Sequence, residues 1–147
     1  MTTKFYKCAH CGNVIVKTVD SGVPVVCCGE KMQELTANTV EASAEKHLPV
    51  VSALEGGRLR IEVGSIHHPM SQEHHIAFVY VETENGGILT YLKDQPVAEV
   101  CVGCARPVAV YEYCNLHGLW KTNVDMENCP KKEKGSYTSP FYPCGTE

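Results

Sequence analysis

Nine cysteines in a chain of 147 residues constrain the fold more than any other feature of the sequence. In a reducing compartment, so many cysteines are more typical of metal binding or redox chemistry than of structural disulfides. An odd number does not suit a fully paired disulfide framework, but it suits two sets of four and one thiolate with a separate function. The sets are Cys8, Cys11, Cys27 and Cys28; Cys101, Cys104, Cys129 and Cys144; and Cys114 alone.

Residues 5–35 have the pattern of a small metal-binding module. Cys8 and Cys11 form a C-x2-C turn after a short strand, and Cys27 and Cys28 end a returning strand, so two arms bring four sulfurs together. About 30 residues bury too little apolar surface to fold alone, whereas a bound metal contributes of order 10 kcal/mol. Cysteine ligands do not distinguish zinc from a single iron. Because adjacent residues of an extended strand point to opposite sides, Cys27 and Cys28 can share one metal only if the chain is strained.

A second group of ligand residues surrounds Cys114. Cys114 and His117 lie three residues apart on a tight turn, which Gly118 allows the backbone to leave at an unusual angle. One cysteine and several histidines can enclose a metal while leaving a coordination position open. Neighbouring histidines on an extended backbone cannot both face inward. The upstream histidines that offer a ligand are His47, His67, His68, His74 and His75.

Hydrophobic alternation dominates the chain from about Val50 onward. It places Leu59, Ile61 and Val63 on one face of a strand, and Ile76, Phe78 and Tyr80 on one face of another. Further short strands follow at residues 88–92, 97–102 and 108–113, separated by turns that contain Gly, Pro and Asn. This pattern predicts a mainly β protein with an immunoglobulin-like antiparallel β-sandwich, although a small barrel gives a similar pattern.

The order of these patterns predicts three segments. They are a metal module at residues 1–36, a sandwich domain at residues 37–122 and a cysteine-containing extension at residues 123–147. The polar stretch at residues 36–46 is interpreted as a linker. Pro49 is expected to prevent a helix from continuing through His47.

The charge and hydropathy of the chain exclude two classes of partner. A net charge of -4 and only 13 Lys and Arg residues argue against nucleic-acid binding, which needs a clustered basic face. No apolar run approaches the roughly 20 residues of a membrane span, and the first residues lack the order of a signal peptide. The sequence therefore predicts a cytoplasmic protein without a membrane partner.

Three motifs follow one another within the predicted sandwich domain. They are E-K-H-x-P-V from Glu45, H-P-M-x-x-x-H from His68, and Y-C-N-L-H-G-L-W from Tyr113. Together with the N-terminal Y-K-C-x-x-C-G-N and C-C-G motifs, they resemble desulfoferrodoxin, the two-iron superoxide reductase, over roughly residues 4–120. The N-terminal part by itself resembles desulforedoxin.

The resemblance implies that iron is held at two places. The first is a one-iron site at Cys8, Cys11, Cys27 and Cys28, with zinc as the alternative metal. The second is a ferrous centre with an open sixth position, whose ligands would be His47, His68, His74, Cys114 and His117. His68 is preferred over His67 because it precedes Pro-Met. This leaves His10, His67 and His75 without a role.

The resemblance also implies an activity and partners. The activity is the one-electron reduction of superoxide to hydrogen peroxide without production of dioxygen. Lys46 would strengthen the local positive field and hold a proton-donating water, and Glu45 would cap the ferric iron after the product leaves. The expected electron donor is a protein such as rubredoxin, and the expected assembly is a homodimer.

The late cysteines fall outside this resemblance. Cys101 and Cys104 form a C-x2-C pair that interrupts an expected strand, and Cys129 and Cys144 lie in the extension. The four could form a third metal knuckle, Cys101 and Cys104 could form a redox-active dithiol, or all could be unpaired thiols. Two other functions compete with the reductase: an electron-transfer iron protein and a zinc-stabilised binding module.

Overall fold

The computed structural model describes residues 3–124 of the chain. Contacts between Cα atoms divide the chain into two compact units, and the division lies between Thr39 and Val40. The first unit contains five short strands: β1 (Phe5–Lys7), β2 (Val14–Val16), β3 (Val26–Cys27), β4 (Glu30–Lys31) and β5 (Gln33–Leu35). Among residues 3–124, no helix has the length and apolar character needed to cross a membrane.

The first unit is built from two small antiparallel sheets. Its three-stranded sheet has the order β2-β1-β5, and β3 and β4 form a separate hairpin. Only Phe5 and Cys8 are buried among the described residues of this unit. So small an apolar core does not stabilise a fold of this length by burial alone, which agrees with the prediction that a metal organises it.

The second unit is an antiparallel β-sandwich preceded by one helical turn. Its first sheet has the order β10-β7-β6 and its second the order β12-β11-β8-β9. The elements are α1 (Ala44–His47), β6 (Pro49–Leu54), β7 (Arg58–Val63), β8 (Ile76–Thr83), β9 (Gly86–Tyr91), β10 (Val97–Cys101), β11 (Pro107–Cys114) and β12 (Gly118–Asn123). The predicted mainly β architecture with antiparallel sheets is confirmed.

The hydrophobic core of the sandwich lies between its two sheets. It takes the alternating apolar residues of β7, as predicted, and residues of β8, β10 and β11 that face them. The buried members of this cluster are Leu59, Ile61, Val63, Ile76, Val79, Val81, Ala98, Val100, Val102, Val110 and Cys114.

The prediction that Ile76, Phe78 and Tyr80 share one face of β8 is wrong. Ile76 pairs with Cys114 and Phe78 with Tyr113, so the register between β8 and β11 shifts by one residue at this point. An extra residue in one strand reverses the alternation beyond it. The core residues of this strand are therefore Ile76, Val79 and Val81.

The expectation that Pro49 stops a helix before His47 is also wrong. The single turn α1 includes His47, and the Leu48 amide donates to the carbonyl of Ala44 at 2.9 Å. Leu48 itself is extended, with φ -68° and ψ 125°. The steric restriction imposed by a proline falls on the residue directly before it, so Leu48 ends the helix and His47 remains helical.

The Cys101–Cys104 segment ends a strand instead of interrupting one. β10 stops at Cys101, and the amides of Val102 and Gly103 both donate to the carbonyl of Gly57 in the turn after β6. Cys101 is disulfide-bonded, whereas Cys104 is a free, exposed thiol, so these two sulfurs are not bonded to each other. Cys129 and Cys144 lie outside the described residues.

Candidate metal centres

Five side chains that can bind a metal converge in the second unit. Each offers one ligand atom, and all five atoms lie within 4.8 Å of one another. They come from the end of α1, from the connection between β7 and β8, and from the turn between β11 and β12. The five are the predicted ligands His47, His68, His74, Cys114 and His117.

Several ligand atoms of this cluster lie at hydrogen-bond distance from one another. His47 Nε2 lies 3.0 Å from His117 Nδ1 and 3.2 Å from His68 Nε2. Cys114 Sγ lies 3.4 Å from the same His68 nitrogen. The ligand atoms are therefore arranged around one common point.

Hydrogen bonds to backbone carbonyls fix which ring nitrogen of two histidines faces that point. His47 Nδ1 donates to the Ser43 carbonyl and His68 Nδ1 donates to the Pro69 carbonyl, each at 2.7 Å. In a neutral imidazole the other nitrogen, Nε2, then carries only a lone pair. Two such lone pairs facing each other at 3.2 Å repel unless a cation lies between them. The arrangement therefore fits a bound metal ion.

The pKa values of these imidazoles favour the neutral form that binds metals. Burial lowers the pKa of His68 to about 4, and burial also lowers the pKa of His47. Burial lowers the pKa of His74 too, and the nearby His117 and Lys46 lower it further. Neutral imidazole is the form that acts as a ligand, so these rings do not need to lose a proton to bind a metal near pH 7.

His74 supplies the clearest test of whether a metal fits. Its Nε2 atom is buried and has no hydrogen-bond partner in the described part of the chain. A buried acceptor without a partner costs about 1–3 kcal/mol. A metal ion shared with the other four ligands would satisfy this nitrogen.

The Cys114 thiol is fully buried at the end of β11. Burial raises its pKa, while hydrogen bonds from the backbone amides of His117 and Leu116 lower it. The His117 amide lies 3.4 Å from the sulfur. Amides that follow the cysteine therefore hold its sulfur, and a metal cation would stabilise the thiolate in this buried position.

Two further residues lie beside the cluster, and no role was predicted for either. The Trp120 ring stacks on the His47 ring, and its indole Nε1 donates to the His117 carbonyl at 3.1 Å. Glu112 lies two residues before Cys114 on β11 and is fully buried. Neither of its carboxyl oxygens has a hydrogen-bond partner among residues 3–124, and burial raises its pKa to about 9.

The remaining predicted residues lie around this centre. Glu45 and Lys46 are exposed on α1, directly before His47. His67 is 59% exposed and lies 3.7 Å from Glu62, so it points away from the cluster. His10 and His75 also lie outside it; they contact Glu30 and the Ser71 carbonyl, respectively.

Four cysteines form a second candidate centre, in the first unit. The sulfurs of Cys8, Cys11, Cys27 and Cys28 lie within 4.8 Å of one another, with 3.6 Å between those of Cys11 and Cys27. Backbone hydrogen bonds from Cys11 and His10 lower the pKa of Cys8 to about 6, whereas the neighbouring thiols raise the pKa of Cys28 to about 12. Four thiols this close cannot all ionise unless a cation is shared among them.

Cys28 has a strained backbone conformation in this centre. Its φ of +52° lies in the left-handed region, which a residue with a side chain seldom adopts. The strain predicted for the adjacent pair Cys27 and Cys28 is therefore located at Cys28. Such strain persists where the surrounding structure, here a shared ligand position, determines the conformation.

Comparison with known proteins agrees with both centres. The desulfoferrodoxin family model matches residues 39–123, and the model of the desulfoferrodoxin N-terminal domain matches residues 1–35. Desulfoferrodoxin of Nitratidesulfovibrio vulgaris is 39% identical over 123 residues, which cover 82% of this chain and 96% of the relative. A desulfoferrodoxin homologue of Archaeoglobus fulgidus is 40% identical over 120 residues, covering 80% of this chain and 94% of the relative.

A solved structure shows the same fold. The crystal structure of the superoxide reductase from Treponema pallidum superposes with a TM-score of 0.70 and 31% identity. The superposition covers 84% of this chain and all of the other one. Two family models that together span both structural units, and relatives matched over nearly their whole length, establish that this chain belongs to the desulfoferrodoxin family.

Proposed function

We propose that this protein is a superoxide reductase, which reduces superoxide to hydrogen peroxide and produces no dioxygen. The observation that carries the proposal is the convergence of four histidine nitrogens and one buried cysteine sulfur within 4.8 Å. A relative from Pyrococcus abyssi and a structural neighbour from Treponema pallidum are each named superoxide reductase. Each turnover would consume one superoxide, one electron and two protons, and yield one hydrogen peroxide.

The five residues would hold iron. Bound there, iron supplies one-electron redox chemistry at a site whose five protein ligands leave room for one small ligand. A structural zinc site is usually closed by four ligands, so a fifth converging ligand favours iron over a purely structural metal. The neutral imidazoles leave Cys114 as the only anionic ligand, so the site keeps a net positive charge toward an anionic substrate.

Lys46 and Glu45 are the catalytic residues in this proposal. Lys46 is exposed beside His47, and its charge contributes to the lowered pKa of His74, so its field reaches the cluster. A local positive field attracts superoxide even though the whole chain carries a net charge of -4. Lys46 would also hold a water that donates a proton, and Glu45 would close the site after the product leaves. The exposure of both side chains leaves them free for these roles.

The four-cysteine centre would bind a single iron and pass one electron at a time. The exposed Cys11 and Cys28 give an external donor access to this centre. A rubredoxin-like protein is the proposed donor. Zinc remains the alternative metal, and visible absorption distinguishes the two because a ferric thiolate site is coloured and a zinc site is not.

A homodimer completes the proposal. The first unit exposes four large apolar side chains, Val19, Val23, Val25 and Val26, at 83%, 67%, 38% and 61%. Exposed apolar surface on a unit with a small core is typical of an interface. A cytoplasmic location is also proposed, because six of the seven cysteines in the described region, all but Cys101, are free thiols, as in a reducing compartment.

A third metal at Cys101, Cys104, Cys129 and Cys144 stays a prediction. A sulfur in a disulfide is not available as a thiolate ligand, and Cys101 is disulfide-bonded in this structure. Metal analysis of the purified protein tests the prediction: three metal ions per chain would support it, and two would count against it.

The decisive experiment measures the products of superoxide consumption in the presence of a reduced donor. A reductase forms one peroxide and oxidises one donor equivalent per superoxide, with no dioxygen. A dismutase forms half as much peroxide together with dioxygen. Dioxygen release without donor oxidation would therefore refute the proposal, and no reaction at all would favour the electron-carrier or binding-module alternatives.

A further inference from the structure

His74 is held differently from two of the other histidines in the five-residue cluster. The rings of His47 and His68 are each anchored by an Nδ1 hydrogen bond to a backbone carbonyl. Among residues 3–124, the hydrogen bonds of His74 are made by its backbone, and its ring makes none. The position of its Nε2 therefore depends on the loop that carries it.

That loop is closed on itself by Ser71. The Ser71 amide donates to the His74 carbonyl at 3.0 Å, and the Ser71 hydroxyl accepts from the His74 amide at 3.1 Å. These bonds give residues 71–74 the shape of a compact turn. They do not, however, connect the turn to the rest of the metal cluster.

The side chain of Asn115 makes this connection. Its Oδ1 accepts from the His75 amide at 2.8 Å, and its Nδ2 donates to the Glu73 carbonyl at 2.8 Å. The Asn115 backbone amide also donates to the His75 carbonyl at 3.2 Å. The two side-chain bonds hold the peptide groups on both sides of His74, and Asn115 directly follows Cys114 in the chain.

We infer that Asn115 is a positioning residue that fixes His74 relative to the Cys114 sulfur. An uncharged amide carries a donor and an acceptor on two separate atoms, as the Glu73 carbonyl and the His75 amide require. Aspartate would keep the acceptor and lose the donor, and alanine would lose both. The two ligands are 40 residues apart in sequence, and the bonds of Asn115 join the chain beside Cys114 to the chain beside His74.

Because Asn115 connects the chain next to His74 with the chain next to Cys114, these two ligands move together. Any displacement of the Cys114 turn is transmitted to the His74 loop through rigid peptide groups. Asn115 thereby positions the backbone that carries His74, whereas the Ser43 and Pro69 carbonyls hold the rings of His47 and His68. The inference rests on the proposed function only in treating these five residues as ligands of one metal.

The test compares Asn115→Ala and Asn115→Asp with Gln72→Ala in the full-length protein. Gln72 is a matched control because it is an exposed amide on the same loop, two residues from His74. Cobalt(II) is the probe, added in competition with a chelator. The binding step that belongs to the five-residue centre is identified as the one lost in Cys114→Ser.

Asn115→Ala should weaken cobalt binding at this centre about 10- to 100-fold, the usual effect of removing support for a ligand. Asn115→Asp should fall between Asn115→Ala and the unchanged protein, and Gln72→Ala should stay within twofold. The intensity of the cobalt visible bands should rise in Asn115→Ala, because one nitrogen ligand is released. Cobalt binding at the four-cysteine centre should be the same in every variant.

Equal cobalt affinity in Asn115→Ala, Asn115→Asp and Gln72→Ala would overturn the inference. If Asn115→Ala does not fold, an unchanged affinity and spectrum in Asn115→Asp would overturn it just as well. Because the measurement uses cobalt and no superoxide, it is independent of the proposed activity. If the protein fails to reduce superoxide but binds cobalt more weakly when Asn115 is substituted, the proposed reductase function is refuted and the positioning role of Asn115 is supported.

Discussion

The Trp120 indole stacks on the His47 imidazole, with ring centroids 4.9 Å apart and planes inclined by 24°. The same indole donates to the carbonyl of His117, so one side chain contacts two ligands of the five-residue cluster from the β12 strand. Because Trp120 is only 4% exposed, both contacts are shielded from water.

Trp120→Phe should keep the stacking and lose the hydrogen bond. We expect the free energy of unfolding to fall by about 1 kcal/mol, the usual contribution of one hydrogen bond, and Trp120→Ala to lower it by about 3–5 kcal/mol. Urea unfolding of the metal-loaded protein measures both. Tyr91→Ala is the control, because this aromatic side chain is 77% exposed and its loss should change stability by less than about 0.5 kcal/mol. Equal losses for Trp120→Ala and the control would contradict a supporting role.

Cys114→Ser should abolish superoxide reduction while the visible spectrum of the four-cysteine centre stays unchanged. Serine is nearly isosteric, but near pH 7 it is a neutral hydroxyl that cannot replace an anionic sulfur. Stopped-flow measurement of superoxide decay, together with the absorption spectrum, checks both parts. Cys104→Ser is the matched control, because Cys104 is an exposed thiol outside both metal clusters. Retained activity in Cys114→Ser would remove the thiolate from the mechanism.

Lys46→Ala should slow the second-order reaction with superoxide about tenfold or more and flatten its dependence on ionic strength. Electrostatic steering raises association rates by about 10- to 1,000-fold and is screened by salt. The control is Lys93→Ala, which changes the net charge equally but removes an exposed lysine from the connection after β9. The second-order rate constants of both variants are measured at low and at high salt concentration. If both variants lose the same factor, net charge and not the position of Lys46 accounts for the effect.

Glu112→Gln should stabilise the protein, and the gain should grow as pH rises. Burial raises the pKa of Glu112 in the folded state to about 9, from an ordinary value of 4.5. Below pH 4.5 the carboxyl is protonated in both states, so the substitution changes little. Between pH 4.5 and 9 it is neutral when folded and ionised when unfolded, so folding must take up a proton and wild-type stability falls with rising pH.

Urea unfolding of both forms at pH 5 and pH 8 measures this difference. Glutamine has the same shape and does not ionise, so its advantage should be larger at pH 8. Comparing the two proteins at each pH cancels the pH dependence of metal binding that they share. A gain that is equal at the two pH values would show that Glu112 does not change its protonation on unfolding.

The five residues that converge are the ones that the resemblance implies, because each lies in a short motif that is recognisable in the sequence. Cys114 and His117 share one turn, and His68 is followed by a proline whose carbonyl holds its ring. The strain expected at the adjacent cysteines is likewise a local property, and it is found at Cys28. Residue type and spacing are sufficient to predict such features.

Features that depend on tertiary contacts could not be predicted in the same way. The register shift between β8 and β11 depends on pairing with a distant strand, and it reverses the alternation that the sequence of β8 alone indicates. A glutamate normally marks the exposed face of a strand, so nothing in the sequence indicates that Glu112 is buried. Asn115 reaches partners some 40 residues away, and no local pattern records that contact.

The distance in sequence between His47 and His117 gives the five-residue cluster a second consequence. Their ring nitrogens are 3.0 Å apart across 70 residues of chain, so an ion held between them is a cross-link that closes most of the sandwich into one loop. Such closure removes freedom from the unfolded chain, and anything that binds only the folded state shifts the folding equilibrium toward it. We therefore expect a protein molecule that has lost this ion to be both inactive and more easily degraded by proteases. Molecules without the metal would then be degraded before metal-loaded ones.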